Sequence, residues 1–159
     1  MLFGTERDIN LLTKINRELL SDIIEQEILY YKFSLDETTA NLYGEALDKV
    51  FQIPIKLNCL ITRGDQVITT DDMGPDLNRE ASFAFLRKDL ETSVVVPEVG
   101  DIVNWQENYY EVDTVRENQL FVGRDNSYNL TDYSTKFGKS VSIILDCHLT
   151  RADRIGIIE

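Results

Sequence analysis

Apolar residues near the start of the chain recur at helical spacing. Ile9, Leu12, Ile15, Leu19 and Ile23 fall within one broad stripe, and Asn10, Lys14, Arg17 and Glu18 lie off it. The pattern predicts a helix over 5–22, with Thr5 as N-cap and Asp8 three residues on as a capping-box acid. A lone amphipathic helix docks its stripe on something, either its own barrel or a neighbouring subunit.

From residue 25 the period drops to two. Leu29, Tyr31, Phe33 and Leu35 alternate with Tyr30, Lys32 and Ser34. Phe51, Ile53, Ile55, Leu57, Cys59 and Ile61 form one face of the clearest strand, with Gln52, Pro54, Lys56, Asn58 and Thr62 on the other. Pro54 has no N–H to donate, which places that strand at an edge or a bulge. Ala81, Phe83 and Phe85 open a third strand within 79–90. A turn over 97–101 leads into a strand over 102–105, a loop at Gln106, Glu107 and Asn108, and a return strand over 109–115, which together read as a hairpin. A short strand over 119–123 follows. In the last strand Val141, Ile143, Leu145, Cys147 and Leu149 face inward, and Ser142, Asp146, His148 and Thr150 outward.

Two polar stretches, 63–78 and 123–138, interrupt the pattern and read as long loops, functional or disordered until bound. The expected fold is mainly β (α+β): a small antiparallel β-barrel or sandwich over 25–150 with an N-terminal helix. A tail over 151–159 completes one domain of 159 residues.

Charge narrows the partners. Acidic residues number 28 and basic residues 16, a net charge of −12. Such a surface has no surplus of Lys and Arg to displace counterions from phosphates, so non-specific nucleic-acid binding is not expected. The longest apolar run, Val94 to Val96, is far too short to span a membrane, and the N-terminus lacks the order of a signal peptide. Two cysteines are too few for a disulfide scaffold. A cytosolic or assembled-particle protein is the expectation.

Catalytic motifs are missing from the sequence: it holds no phosphate-binding glycine loop, nucleophile elbow, zincin helix or CxxC pair. His148 is the only histidine, and its neighbour Cys147 points to the opposite face of the strand. Cys59 and Cys147 read as buried free thiols, with a disulfide the alternative if their strands are neighbours. Asp71, Asp72 and Asp76 lack the spacing of a calcium loop and read as a solvated turn. The tripeptide Arg63-Gly64-Asp65 is first of all a turn signal. No catalytic residue, metal or cofactor is expected, and the chain does not read as an enzyme. The positive signal is aromatic. Trp105, Tyr109 and Tyr110 surround one hairpin tip, where they either fill the barrel or anchor an interface. Tyr128 and Tyr133 punctuate the second polar stretch. With the three aspartates, these five aromatics are the interface candidates.

Several stretches, in order, resemble a known family: Tyr43-Gly44-Glu45-Ala46, Leu60-Ile61-Thr62-Arg63-Gly64-Asp65-Gln66, Phe83-Ala84-Phe85-Leu86-Arg87-Lys88-Asp89-Leu90, and Val95-Val96-Pro97-Glu98-Val99-Gly100-Asp101-Ile102-Val103. Tyr109-Tyr110-Glu111-Val112-Asp113 and Asn118-Gln119-Leu120-Phe121-Val122-Gly123 complete the set. Together they look like the neck, or head-completion, proteins of T4-like contractile-tailed bacteriophages, cyanophage type. The chain is shorter than the best-known neck proteins. The resemblance implies a structural virion protein without an active site, assembled in the host cytoplasm. It would form a homo-oligomeric ring at the head–tail junction and close the DNA-filled head. Portal or adaptor proteins and tail-terminator or tail-completion proteins would be its partners. DNA would pass through the lumen without specific binding, and no membrane is involved. The alternatives are a tail terminator or baseplate component, or a small ligand-binding β-barrel.

Overall fold

The computed structural model describes residues 6–36, 38, 49–71, 74–120 and 140–151. Its elements are α1 (Glu6–Glu18), β1 (Glu27–Tyr31), β2 (Ile55–Asn58), β3 (Leu60–Asp71), β4 (Gly74–Leu86), α2 (Arg87–Thr92), β5 (Ile102–Trp105), β6 (Asn108–Leu120) and β7 (Ser140–Thr150). The α1 helix continues through one π-helical turn, Leu19–Ile24, two residues past the predicted end. Glu25 stops it by adopting φ 46° and returning its N–H to the Leu20 carbonyl. The predicted Thr5 cap, the loop over 123–138 and the tail beyond Arg151 lie outside the described residues.

The fold is α+β, with an N-terminal helix and a seven-stranded antiparallel sheet in the order β2-β1-β5-β6-β7-β4-β3. The sheet is not closed into a barrel, which corrects the expected architecture. Its edges, β2 and β3, are separated in the chain only by Cys59, so the predicted strand over 51–61 is split between them. The first part pairs with β1 and the continuation with β4. Leu60 stands opposite Ala84, which puts the end of β4 level with Asn58. There the chain turns into α2 instead of running on beside β2, and the closing ladder is never made.

One core fills the concave face. Phe83, Phe85, Val103, Tyr110, Leu145 and Cys147 are buried there together with Cys59, as the inward phase of the last strand and of 81–85 predicts. The phase of β1 is the reverse of expectation: Ile28 and Tyr30 are buried, whereas Leu35 is exposed. A tyrosine can take the inward position because its hydroxyl has a partner inside the core. On the other face Ile102 and Tyr109 form a small satellite cluster with Tyr31 and Phe51.

That inward partner is Asp101, itself 1% exposed. Its carboxylate accepts the Tyr30 hydroxyl, the Phe33 N–H at 2.9 Å and the Glu98 N–H at 2.9 Å, with Lys32 Nζ at 3.3 Å. Burial first, then the Asp101 carboxylate, pushes the Tyr30 phenol far above its ordinary value, so it remains a donor. Gly100 precedes it at φ +92°, a conformation that side chains resist, and its N–H bonds Val112. The Val112 N–H returns to the Asp101 carbonyl at 2.9 Å. The turn over 97–101 is therefore tied at once to β1 and to β6.

The stretch 63–78, expected as a loop, is strand on both sides of a hairpin, with β3 paired to β4 from Leu60↔Ala84 to Asp71↔Gly74. Among the described residues β7 accompanies β4 only from Glu80 to Leu86, and beyond Glu80 the described strands of the hairpin are β3 and β4, here called the ribbon. It leaves the sheet at a bulge where Gly64 and Asp65 lie opposite Glu80. A Cβ on Gly64 would sit 3.1 Å from the Glu80 carbonyl oxygen, so glycine fits this close approach. The alternation that marks a half-buried strand is absent here, and the neighbours Val67 and Ile68, which point to opposite faces, are both exposed.

The α2 helix ends in a Schellman arrangement. Val95 N–H bonds the Leu90 carbonyl and Val94 N–H bonds the Glu91 carbonyl. Val94 takes the left-handed position at φ 56° while 88% exposed. A β-branched residue is strained there and gains no burial in return.

Two stability changes of opposite sign are expected. Asp101→Asn puts an amide N–H among four donors and lowers unfolding stability by about 3 kcal/mol in urea titration. Val94→Gly relieves the left-handed strain and raises stability by about 1 kcal/mol in the same assay.

Candidate functional site

Trp105 and Tyr110 face the main core, and Tyr109 lies on the other face in the satellite cluster. Trp105, Tyr109 and Tyr110 are all buried within the chain itself. The turn has two residues, Gln106 and Glu107, both at positive φ, and Asn108 pairs with Trp105 instead of belonging to the loop. This shorter turn directs the Trp105 side chain into the core. Its ring lies edge-on to Phe83 at 6.4 Å and tilted toward Tyr110 at 6.4 Å. The Arg63 guanidinium covers it at 4.3 Å, held by Gln106 Oε1 at 3.0 Å. Of the two roles open to these aromatics, filling the fold or anchoring an interface, Trp105 and Tyr110 are buried in the core, and what the tip exposes is Gln106 and Glu107. Of the remaining interface candidates, Asp72, Tyr128 and Tyr133 lie outside the described residues. Asp71 and Asp76 belong by backbone to the far end of the ribbon.

On the outer face His148 meets Asp113, with Nδ1 at 2.8 Å from a carboxylate oxygen. Asp113 is the extra residue of a bulge between Val112 and Thr114, which turns its carboxylate toward the neighbouring strand. Glu80 and Glu111 flank His148 in register. One row further, Asp146 accepts the Ser82 hydroxyl at 2.7 Å and contacts Arg116 Nε at 2.7 Å. Partial burial raises the Asp146 carboxyl, but these two donors outweigh it and hold the group below its ordinary value.

Cys147 is buried on the face opposite His148, so the two do not form a nucleophile–base pair. Cys59 and Cys147 are both free thiols. Burial pushes the Cys59 thiol up to about 12 and raises Cys147 further, with Asp113 and Asp146 adding to the latter. Among the described residues no three His, Cys, Asp or Glu side chains gather as a metal would need. No helix among them is long and apolar enough to cross a membrane.

The exposed apolar surfaces lie elsewhere. The α1 helix rests on the body by its polar flank, with Arg17 Nε at 2.9 Å from Asp89 Oδ1 of α2. Leu20 and Ser21 face a cleft of about 290 Å³ shared with Glu27, Lys56, Asn58 and Thr92. The stripe of Leu11, Leu12, Ile15, Leu19 and Ile23 is turned away from the sheet, each side chain between 42% and 74% exposed. Of the two docking options for the helix, the chain's own sheet is not the one used. At the other end of β4 the ribbon exposes Val67 and Ile68. Residue pattern alone shows the stripe but not its direction, because direction follows from the Arg17–Asp89 pair, which joins residues 72 positions apart. The valine at position 94, just after a helix where glycine is usual, is a signal that sequence reading passes over.

If Trp105 serves the core, Trp105→Ala lowers the stability of the isolated chain by about 3–5 kcal/mol, measured by chemical unfolding. No protein-family model matches the chain, and no curated protein matches it.

Proposed function

We propose that the chain is a structural subunit of a bacteriophage neck, forming a ring that joins the portal and capsid to the tail and closes the DNA-filled head. The observation that carries this reading is α1, held to the body through Arg17–Asp89 with its apolar stripe facing out. A soluble monomer gains nothing from this orientation, whereas an assembly subunit needs it. The ordered resemblance to neck proteins, from 43–46 through 118–123, supports the same reading.

The charge suits such a ring. A net −12 per copy, multiplied around a lumen, repels the DNA backbone and lets it slide during packaging and ejection. On the outer face Glu80 is exposed, while Glu111 is paired with Lys49 at 3.3 Å and Asp113 with His148 at 2.8 Å. Partners in this reading are portal or adaptor proteins above and tail-completion proteins below.

Side-chain-resolution imaging of the particle carrying this chain tests the proposal. The expected result is a closed ring between portal and tail with acidic residues toward the lumen. Locating the chain outside the neck, or finding a lumen lined mainly by Lys and Arg, overturns it.

A further inference from the structure

We infer that copies of this chain join edge to edge, with strand β3 of one copy pairing with strand β2 of the next in the cleft beside α1 and α2. The inference rests on the ring reading and names its subunit contact.

The acceptor is β2. Hydrogen-bonded and non-hydrogen-bonded pairs alternate along an antiparallel ladder, and the Cys59 N–H bonds the Gln26 carbonyl at 3.1 Å. Leu57 and Ile55, two and four residues back, therefore direct their backbone groups at Ile28 and Tyr30 of β1. Lys56 and Asn58 turn their N–H and C=O groups the other way, and both line the cleft of about 290 Å³. Among the described residues no strand lies on that side of β2. The charges around the cleft are engaged with each other, Arg17 with Asp89 at 2.9 Å and Lys56 with Glu27 at 3.8 Å. What the cleft offers an occupant is backbone, the Asn58 amide and the hydroxyls of Thr92 and Ser93. Such a groove takes an uncharged, extended strand.

The donor is β3, the other outer strand of the sheet. Between Asp65 and Asp71 it carries Gln66-Val67-Ile68-Thr69-Thr70, five residues without charge or proline. Protected edges carry Lys or Pro, and this run has neither. Val67 is 53% and Ile68 65% exposed. The hairpin closes at Asp71↔Gly74, which makes that pair hydrogen-bonded and, by alternation, Thr69↔Asp76 and Val67↔Asn78 as well. Pro75 fits this phase, because it stands opposite Thr70, where no N–H is directed at β3. Gln66, Ile68 and Thr70 thus present N–H and C=O away from β4, at the same two-residue spacing as Lys56 and Asn58.

The chain cannot make this pairing with itself. β2 and β3 are one run broken only by Cys59, and Ile68 follows Asn58 by ten residues, about 33 Å of extended strand. In an antiparallel contact between copies, Ile68 stands opposite Lys56 or Asn58 of the neighbour. Partners across a ladder share a face, so Ile68 lies beside the aliphatic stem of Lys56 and Val67 falls on the side of Leu57. Each copy gives β3 to one neighbour and β2 to the other. Repetition of such a heterologous contact closes a ring when the rotation divides the circle.

The test mixes the full chain carrying Ile68→Cys with the full chain carrying Lys56→Cys or Asn58→Cys. Mild oxidation follows in added salt that screens the charge, once matching thermal midpoints confirm folding. The native cysteines are buried and do not interfere. A cross-link confined to a mixture supports the contact, and the partner that links fixes its register. Efficient linking of Ile68→Cys alone shows two β3 edges paired and overturns it. Ile68→Pro removes an N–H that the chain's own ladder does not use. In sedimentation it raises the concentration needed for assembly about tenfold or more, while Ile68→Val, which keeps the N–H, assembles as wild type. Unchanged assembly of a folded Ile68→Pro chain, or a wild-type chain that stays monomeric at every soluble concentration, overturns the inference. If wild type forms rings and neither mixture cross-links, the contact is wrong and the neck reading survives. If a cross-link forms and imaging places the chain outside a neck, the contact stands and the neck reading falls.

Discussion

A buried carboxylate organises this fold. Asp101 lies at the junction of the turn over 97–101, strand β1 and strand β6, and it satisfies donors from two of the three. Its own carbonyl and the preceding glycine bond the third through Val112. A charge so deeply placed is tolerated only because every neighbour is a donor, including the Lys32 ammonium at the rim. With that node in place β1 is held beside β5, Tyr30 points into the core, and the chain enters the β5–β6 hairpin at a fixed angle. The hairpin in turn places Trp105 over Phe83.

The second constraint is where the sheet stops. Cys59 takes the chain from one edge of the sheet to the other, and β4 ends level with Asn58, where the chain turns into α2. Because α2 is there, Asp89 is available to Arg17, and because Arg17 is taken, α1 turns its stripe outward. An open sheet and an outward helix are therefore one event. A fully laddered barrel would have removed the docking point that orients the helix.

Much of this was legible in the residues. Period-two runs located β7, the 81–85 stretch and the β5–β6 hairpin, and period 3.6 located α1 within two residues at its C-terminal end. The Gly100-Asp101 pair announced its turn. What failed had a physical cause in each case. The face of Tyr30 is not readable locally, because a tyrosine is polar or apolar according to whether its hydroxyl finds a partner, here 71 positions away. The ribbon passed as loop because a strand exposed on both faces has no alternation to read. The aromatic site followed its turn: two residues instead of three, at positive φ in Gln106 and Glu107, send Trp105 inward. The outward stripe was visible as a stripe, but its direction depends on one long-range ion pair.

The bulge at Gly64 has one more consequence. By releasing the ribbon from the sheet it leaves β3 with a long open edge, and an open edge is a template for any passing strand. A chain with a net charge of −12 guards that edge by mutual repulsion. The guard works only over the reach of the ionic atmosphere, about 8 Å at physiological salt and shorter in concentrated salt. Ionic strength therefore governs how close dissolved copies approach, and added salt brings that open edge within reach of a second copy.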